Sequence, residues 1–190
     1  MILAEKFVFI HVPKTGGQSI HAAIGARINP PMDNPRFLVD AEGRFTFAFV
    51  RNPWARMVSF YRYLCQRPLT ISDTHNQAEL REMGFIAWLT GEPFWIPQDK
   101  LRGGRKLLPI QQRPQLWWAD GCDFIGQFEN IEQDFAEACI LAGIKHPSRL
   151  PRLNATTGND LRAEYDDASR EFVAQHFAPD IERFGYGFNN

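Results

Sequence analysis

Two short segments constrain the fold of this chain more than any other feature. One is Phe7-Val8-Phe9-Ile10-His11-Val12-Pro13-Lys14-Thr15-Gly16-Gly17-Gln18-Ser19. The other is Phe47-Ala48-Phe49-Val50-Arg51-Asn52-Pro53-Trp54-Ala55-Arg56-Met57-Val58-Ser59-Phe60-Tyr61. Each reads as an apolar strand, a tight turn and a helix start. A short continuous apolar run bounded by turn residues fits a strand buried on both faces. Strand, helix, strand, helix at this spacing argues for an α/β fold, a parallel sheet covered by helices. Ligands in such sheets bind beyond the carboxyl ends of the strands, where both turns lie.

The rest of the chain follows the same pattern. Residues 6–12 and Thr46 to Val50 read as strands, and Cys122 to Phe128 as a third. Helices are expected from Gln18 to Ala26, from Pro53 to Cys65, over 77–90, from Ile131 to Ala142 and over 167–183. Pro53 suits a first helical turn, where its missing N–H costs nothing. Residues 29–44, 66–76 and 92–114 read as loops, the last long enough to imply a function. A length of 190 residues fits one domain, 1–190, with 66–118 as an inserted helix and loop.

Composition narrows the function. Hydrophobic residues make up 44%, too many for a disordered chain. Lys plus Arg number 21 against 22 Asp plus Glu, so no bulk nucleic-acid binding is expected and any polyanion site must be local. Cys65, Cys122 and Cys139 show neither metal-ligand nor disulfide-framework spacing, which fits a reducing compartment. No signal-peptide pattern opens the chain, and no apolar run approaches the ~20 residues that span a bilayer. The expectation is a soluble cytoplasmic protein.

The two turns carry the chemistry. Lys14 to Ser19 lies between a strand end and a helix N-terminus, where unpaired N–H groups and the positive end of the helix dipole meet. Gly16 and Gly17 let the backbone approach an anion closely. Thr15, Gln18 and Ser19 add side-chain donors and Lys14 adds a full charge. In the nucleoside-triphosphate loop the lysine follows the glycines; here it precedes them. The second strand ends in Arg51 rather than in an acidic magnesium ligand. Arg51 and Ser59, an arginine fork and a hydroxyl, suit a terminal phosphate. Arg56 reads as a solvated helix-face residue. A ligand with two anionic ends, held without metal, is the expectation.

This pair of motifs resembles the sulfotransferase superfamily that uses 3′-phosphoadenosine 5′-phosphosulfate (PAPS), and most closely its carbohydrate sulfotransferase branch. His11 to Ser19 is similar to that family's 5′-phosphosulfate loop. Phe49-Val50-Arg51-Asn52-Pro53, followed by Arg56, Ser59 and Tyr61, is similar to its 3′-phosphate motif. Arg113-Pro114-Gln115, Phe124 to Asn130, Leu153-Asn154 and Asp180 to Tyr186 add weaker likenesses in chain order. The resemblance implies a three-layer α/β sandwich with a central parallel sheet, as in P-loop nucleotide kinases. It implies that Lys14, Thr15, Gly16, Gly17, Gln18 and Ser19 hold the 5′-phosphosulfate and that Arg51 and Ser59 hold the 3′-phosphate. Lys14 would be catalytic, neutralising charge on the bridging oxygen as a sulfuryl group leaves PAPS for an acceptor hydroxyl.

The acceptor side is less defined, because the segment between the two motifs is short. His21, His75 and Glu129 are alternatives for the base. His11 reads as structural; His146 and His176 have no claim. Trp88, Trp95, Trp117 and Trp118, interleaved with Arg102, Arg105, Lys106 and Arg113, would suit a glycan, although Phe85, Ile86, Trp88 and Leu89 also read as the buried side of a helix. The rival functions are a metal-dependent kinase on the same architecture, a catalytically silent nucleotide- or glycan-binding protein, and a nucleic-acid binder acting through Arg102 to Arg113.

Overall fold

A computed structural model describes residues 2–25, 41, 43–66, 77–91, 112–145, 147, 149–153 and 161–189. The chain runs through β1 (Ile2–Leu3), β2 (Phe7–Ile10), α1 (Gly17–Ile24), β3 (Phe45–Val50), α2 (Pro53–Gln66), α3 (Gln77–Met83) and α4 (Phe85–Thr90). It continues through α5 (Leu116–Ala119), β4 (Phe124–Gln127), α6 (Ile131–Leu141), α7 (Asp167–His176) and α8 (Ala178–Phe184). The sheet order is β1-β2-β3-β4. β2, β3 and β4 are parallel, as expected from their apolar runs, and β1 adds an antiparallel edge that two residues are too short to announce. The expected loops at 29–40, 67–76 and 92–111 lie outside the described residues, as do His75, Trp95, Arg102, Arg105, Lys106, His146 and Asn154.

Two compact units emerge, one of Met1–Arg51 with Pro114–Ala155 and one of Asn52–Arg113 with Thr156–Asn190. The first holds the sheet. Phe9 pairs in register with Phe47, and Phe47 with Phe124. Phe9, Phe47 and Phe49 pack with Ile20 and Ala23 of α1 and with Phe135 and Ala138 of α6 into one core. Val8, Ile10, Ala48 and Val50, which alternate with them, are buried too, so the strands carry apolar residues on both faces. The start of β3 is fastened to the residue before β4: the Thr46 N–H and hydroxyl both donate to Asp123 Oδ2 at 2.7 Å. The Gln127 N–H donates to Asp134 of α6 at 2.6 Å.

Gly126 lets α6 and β3 approach β4. A Cβ there would stand 2.5 Å from Phe49 Cε1 and 3.0 Å from Asp134 Cβ. Gly126→Ala is therefore expected to destabilise by about 1–3 kcal/mol, the usual cost of overpacking a filled core, read from the midpoint of urea unfolding. An unchanged midpoint would show that the Phe49 ring can step aside.

The second unit is helical. Asn52 caps α2, its Oδ1 accepting from the N–H groups of Trp54 at 3.1 Å and Ala55 at 3.3 Å. Trp54, Met57, Val58 and Phe60 then pack with Leu80, Phe85, Trp88, Leu89, Val173 and Phe177. Three expectations need correction here. The helix read over 77–90 breaks at Gly84, whose φ of 79° and ψ of 166° no helix contains. The helix read over 167–183 breaks at Phe177, because Pro179 lacks an N–H and its ring would strike the carbonyl one turn back. Arg56 is 0% exposed rather than solvated. α5, a single turn of helix, is too short to show a period in the sequence.

Candidate active site

The first turn is built around two left-handed residues. Lys14 has φ 71°, the one non-glycine residue with positive φ among those described, and Gly16 has φ 81°. A lysine in that conformation costs on the order of 1–3 kcal/mol, a strain that clusters at functional sites. The turn is held by its own donors: Thr15 Oγ1 donates to the Val12 carbonyl at 2.9 Å, and Ser19 N–H to the Gly16 carbonyl at 2.9 Å. The Thr15 hydroxyl proton is thereby committed within the turn. Gly17 and Gln18 open α1, where amides have no carbonyl four residues back to bond. Gln18 is exposed, Ser19 is buried and Lys14 is partly buried.

Both glycines are required by contact. A Cβ on Gly16 would stand 2.6 Å from Ile131 Cδ1 and 3.0 Å from Phe128 Cε2, and one on Gly17 would overlap the His11 imidazole. His11 stacks on Phe9 with ring centroids 6.0 Å apart and lies 5.2 Å from the His21 ring. Burial, with help from His21 and Lys14, pushes the His11 pKa down to about 3, so the ring is a neutral wedge behind the turn.

Arg51 reaches this turn from the end of β3. Its Nη1 donates to the Lys14 carbonyl at 3.4 Å, and its guanidinium lies 4.2 Å above the Phe128 ring. Its main chain is clamped by Gln115, which the sequence singles out only through the family-like run Arg113-Pro114-Gln115. The Arg51 N–H donates to Gln115 Oε1 at 2.8 Å, and Gln115 Nε2 donates to the Arg51 carbonyl at 2.7 Å. The side-chain amide thus continues the ladder one residue beyond the strand. Burial first, and the Arg51 charge second, lower the Lys14 pKa to about 8. Two cations held this close repel unless an anion lies with them, so the arrangement fits a phosphate or sulfate group.

The first unit thus brings together Lys14, Thr15, Gly16, Gly17, Gln18, Ser19 and Arg51. Ser59 belongs to the second unit, buried on α2. Among the base candidates, His21 is buried, its ring edge-on to Phe9 with centroids 5.4 Å apart, while Glu129 is exposed. Of the aromatic residues read as acceptor-side, Trp88 and Trp118 are core residues, and Trp117 lies partly buried, edge-on to Trp118. Arg113 is buried; Ile86 is exposed, unlike its neighbours Phe85, Trp88 and Leu89. Tyr61 donates its hydroxyl to the Leu80 carbonyl at 2.8 Å, and burial raises its pKa to about 12. Among the described residues no cluster of three His, Cys, Asp or Glu side chains could hold a metal, and no helix is long and apolar enough to cross a membrane.

A mainly parallel sheet whose carboxyl edge carries a strained turn, with Lys14 on it and Arg51 reaching to it, is an α/β arrangement whose chemistry suits an anion. The sequence matches the sulfotransferase family over residues 3–187, and the chain belongs to that family. It is also similar to an uncharacterized protein of Archaeoglobus fulgidus, 29% identical over 124 residues, which is 64% of this chain and 85% of the relative. No solved structure matches.

Proposed function

We propose that this sulfotransferase takes its sulfuryl group from PAPS and passes it to an acceptor hydroxyl, that of a carbohydrate. The observation that carries the donor assignment is the strained Lys14 turn before α1 with Arg51 reaching its carbonyl from the end of β3. When bound, PAPS supplies the activated sulfuryl group and leaves as the 3′,5′-bisphosphate. The chain's part is binding, alignment and charge. Lys14, the amides of residues 15–18 and the side chains of Gln18 and Ser19 hold the 5′ end; Arg51 anchors the 3′-phosphate, and the family likeness adds Ser59 to that anchor. Lys14 keeps a proton, and with it a positive charge, where negative charge grows on the leaving oxygen. The donor groups are all nitrogen or hydroxyl, which suits an anion held without a metal. The family match over residues 3–187 supports a single transferase domain over 1–190; the acceptor side is assigned to 66–118. The buried free thiols of Cys65 and Cys139 are in keeping with a reducing, cytoplasmic setting.

Calorimetric titration with the bisphosphate product, with and without magnesium, tests the reading. Micromolar binding without metal, weakened about 10–100-fold but still measurable in Arg51→Ala while Lys14→Ala binds far better, is the expected result. Binding that needs magnesium would favour the kinase alternative, and binding without transfer to any acceptor of a glycan panel would favour a silent binder.

A further inference from the structure

Resting on the donor-site reading above, we propose that Phe128 is a positioning residue that locks the Arg51 guanidinium and props the Lys14–Gly17 turn, tying the two halves of the anion cradle together. The restraints on Arg51 act on different parts of it. Gln115, fully buried, fixes the main chain through hydrogen bonds of 2.8 and 2.7 Å. The Lys14 carbonyl holds one end of the fork through Nη1 at 3.4 Å, which is too long to fix the plane of the guanidinium. The Phe128 ring opposes rotation of that plane by lying 4.2 Å beneath the guanidinium carbon. A cation over an aromatic face at that distance is attracted by the ring quadrupole, more strongly when partly desolvated, and Arg51 is only 8% exposed.

The same ring touches the other half of the cradle. Phe128 Cε2 and Cδ2 would stand 3.0 and 3.1 Å from a Cβ on Gly16, so the turn rests directly on the ring. Phe128 follows β4 at the start of a short 3-10 turn and is itself partly buried. Its place is therefore set by the third parallel strand. Turn and arginine meet on one rigid surface rather than each being placed by its own loop.

The test is a double-mutant cycle read by bisphosphate affinity, using the full chain. Phe128→Leu is expected to weaken binding roughly five- to ten-fold in the wild-type background, the scale of a partly desolvated cation–π contact. In the Arg51→Ala background the same substitution should weaken binding clearly less, by about two-fold, because only its support of the turn is left to lose. Phe128→Tyr, which keeps the ring face, should bind as wild type does. The donor KM should rise with the dissociation constant while kcat changes little. A general packing role would instead weaken binding equally in both backgrounds and lower the unfolding midpoint in proportion, and that result would overturn the proposal. Wild-type binding with an unaffected Phe128→Leu would overturn it alone, whereas absence of binding by the wild-type protein would overturn the donor-site reading with it.

Discussion

Replacing Lys14 by alanine is expected to lower turnover by about 10²–10³-fold while changing bisphosphate affinity far less, because a charge aimed at the leaving oxygen acts mainly in the transition state. The structure gives this prediction a second readout. Burial and the neighbouring Arg51 charge set the Lys14 pKa to about 8, so the ammonium is intact below that pH and is lost as pH rises through it. The pH profile of kcat/KM, which reports the free enzyme, should therefore fall above about pH 8 in the wild type. Lys14→Ala should lose that alkaline limb together with the rate. Arg51→Ala should move the limb to higher pH, because it removes one of the two causes of the shift. Near-normal turnover in the lysine variant, or an alkaline limb that survives in it, would remove Lys14 from the chemistry.

The parts of this picture that the sequence discloses are those written in local pattern. β2 and β3 are legible as apolar runs because both of their faces are buried, and the turn at Lys14-Thr15-Gly16-Gly17 is legible because two adjacent glycines after a strand have few other uses. Asn52-Pro53 announces α2 through its capping chemistry. Pro179 also carried a signal, since a proline well inside a helical pattern ends or kinks it, and the periodicity on either side masked the break at Phe177. Other features depend on contacts between residues far apart in the chain. Gln115 meets Arg51 across 64 positions, and a glutamine that completes a strand ladder looks like any other glutamine. Phe128 reads as the end of a strand until its ring is found under Arg51. β1 has only two residues in which to show a period.

Arg56 is the instructive failure, and it supports the largest expected loss of stability. Periodicity assigns a charged residue to the solvent face of a helix, but α2 is buried nearly all round: Trp54, Met57, Val58, Ser59 and Phe60 are all covered. Arg56 is accommodated by specific partners instead. It donates through Nη1 to the Arg113 carbonyl at 3.1 Å, and its guanidinium lies 5.4 Å from the Phe60 ring centre and 5.8 Å from that of Phe177. Burial lowers its pKa to about 10, against the opposing attraction of the fully buried Asp180, so it stays charged at neutral pH. Arg56→Met fills a similar volume but leaves the Asp180 carboxylate buried without that charge and the Arg113 carbonyl without that donor. A loss of about 3–5 kcal/mol in urea unfolding is expected, the scale for removing one member of a buried pair. Asp180→Asn added to Arg56→Met should recover part of it, because the carboxylate charge that had to be offset is then gone. A loss below about 1 kcal/mol, as for an exposed arginine, would mean that Asp180 is stabilised by other groups and that the Arg56 charge adds little to the core.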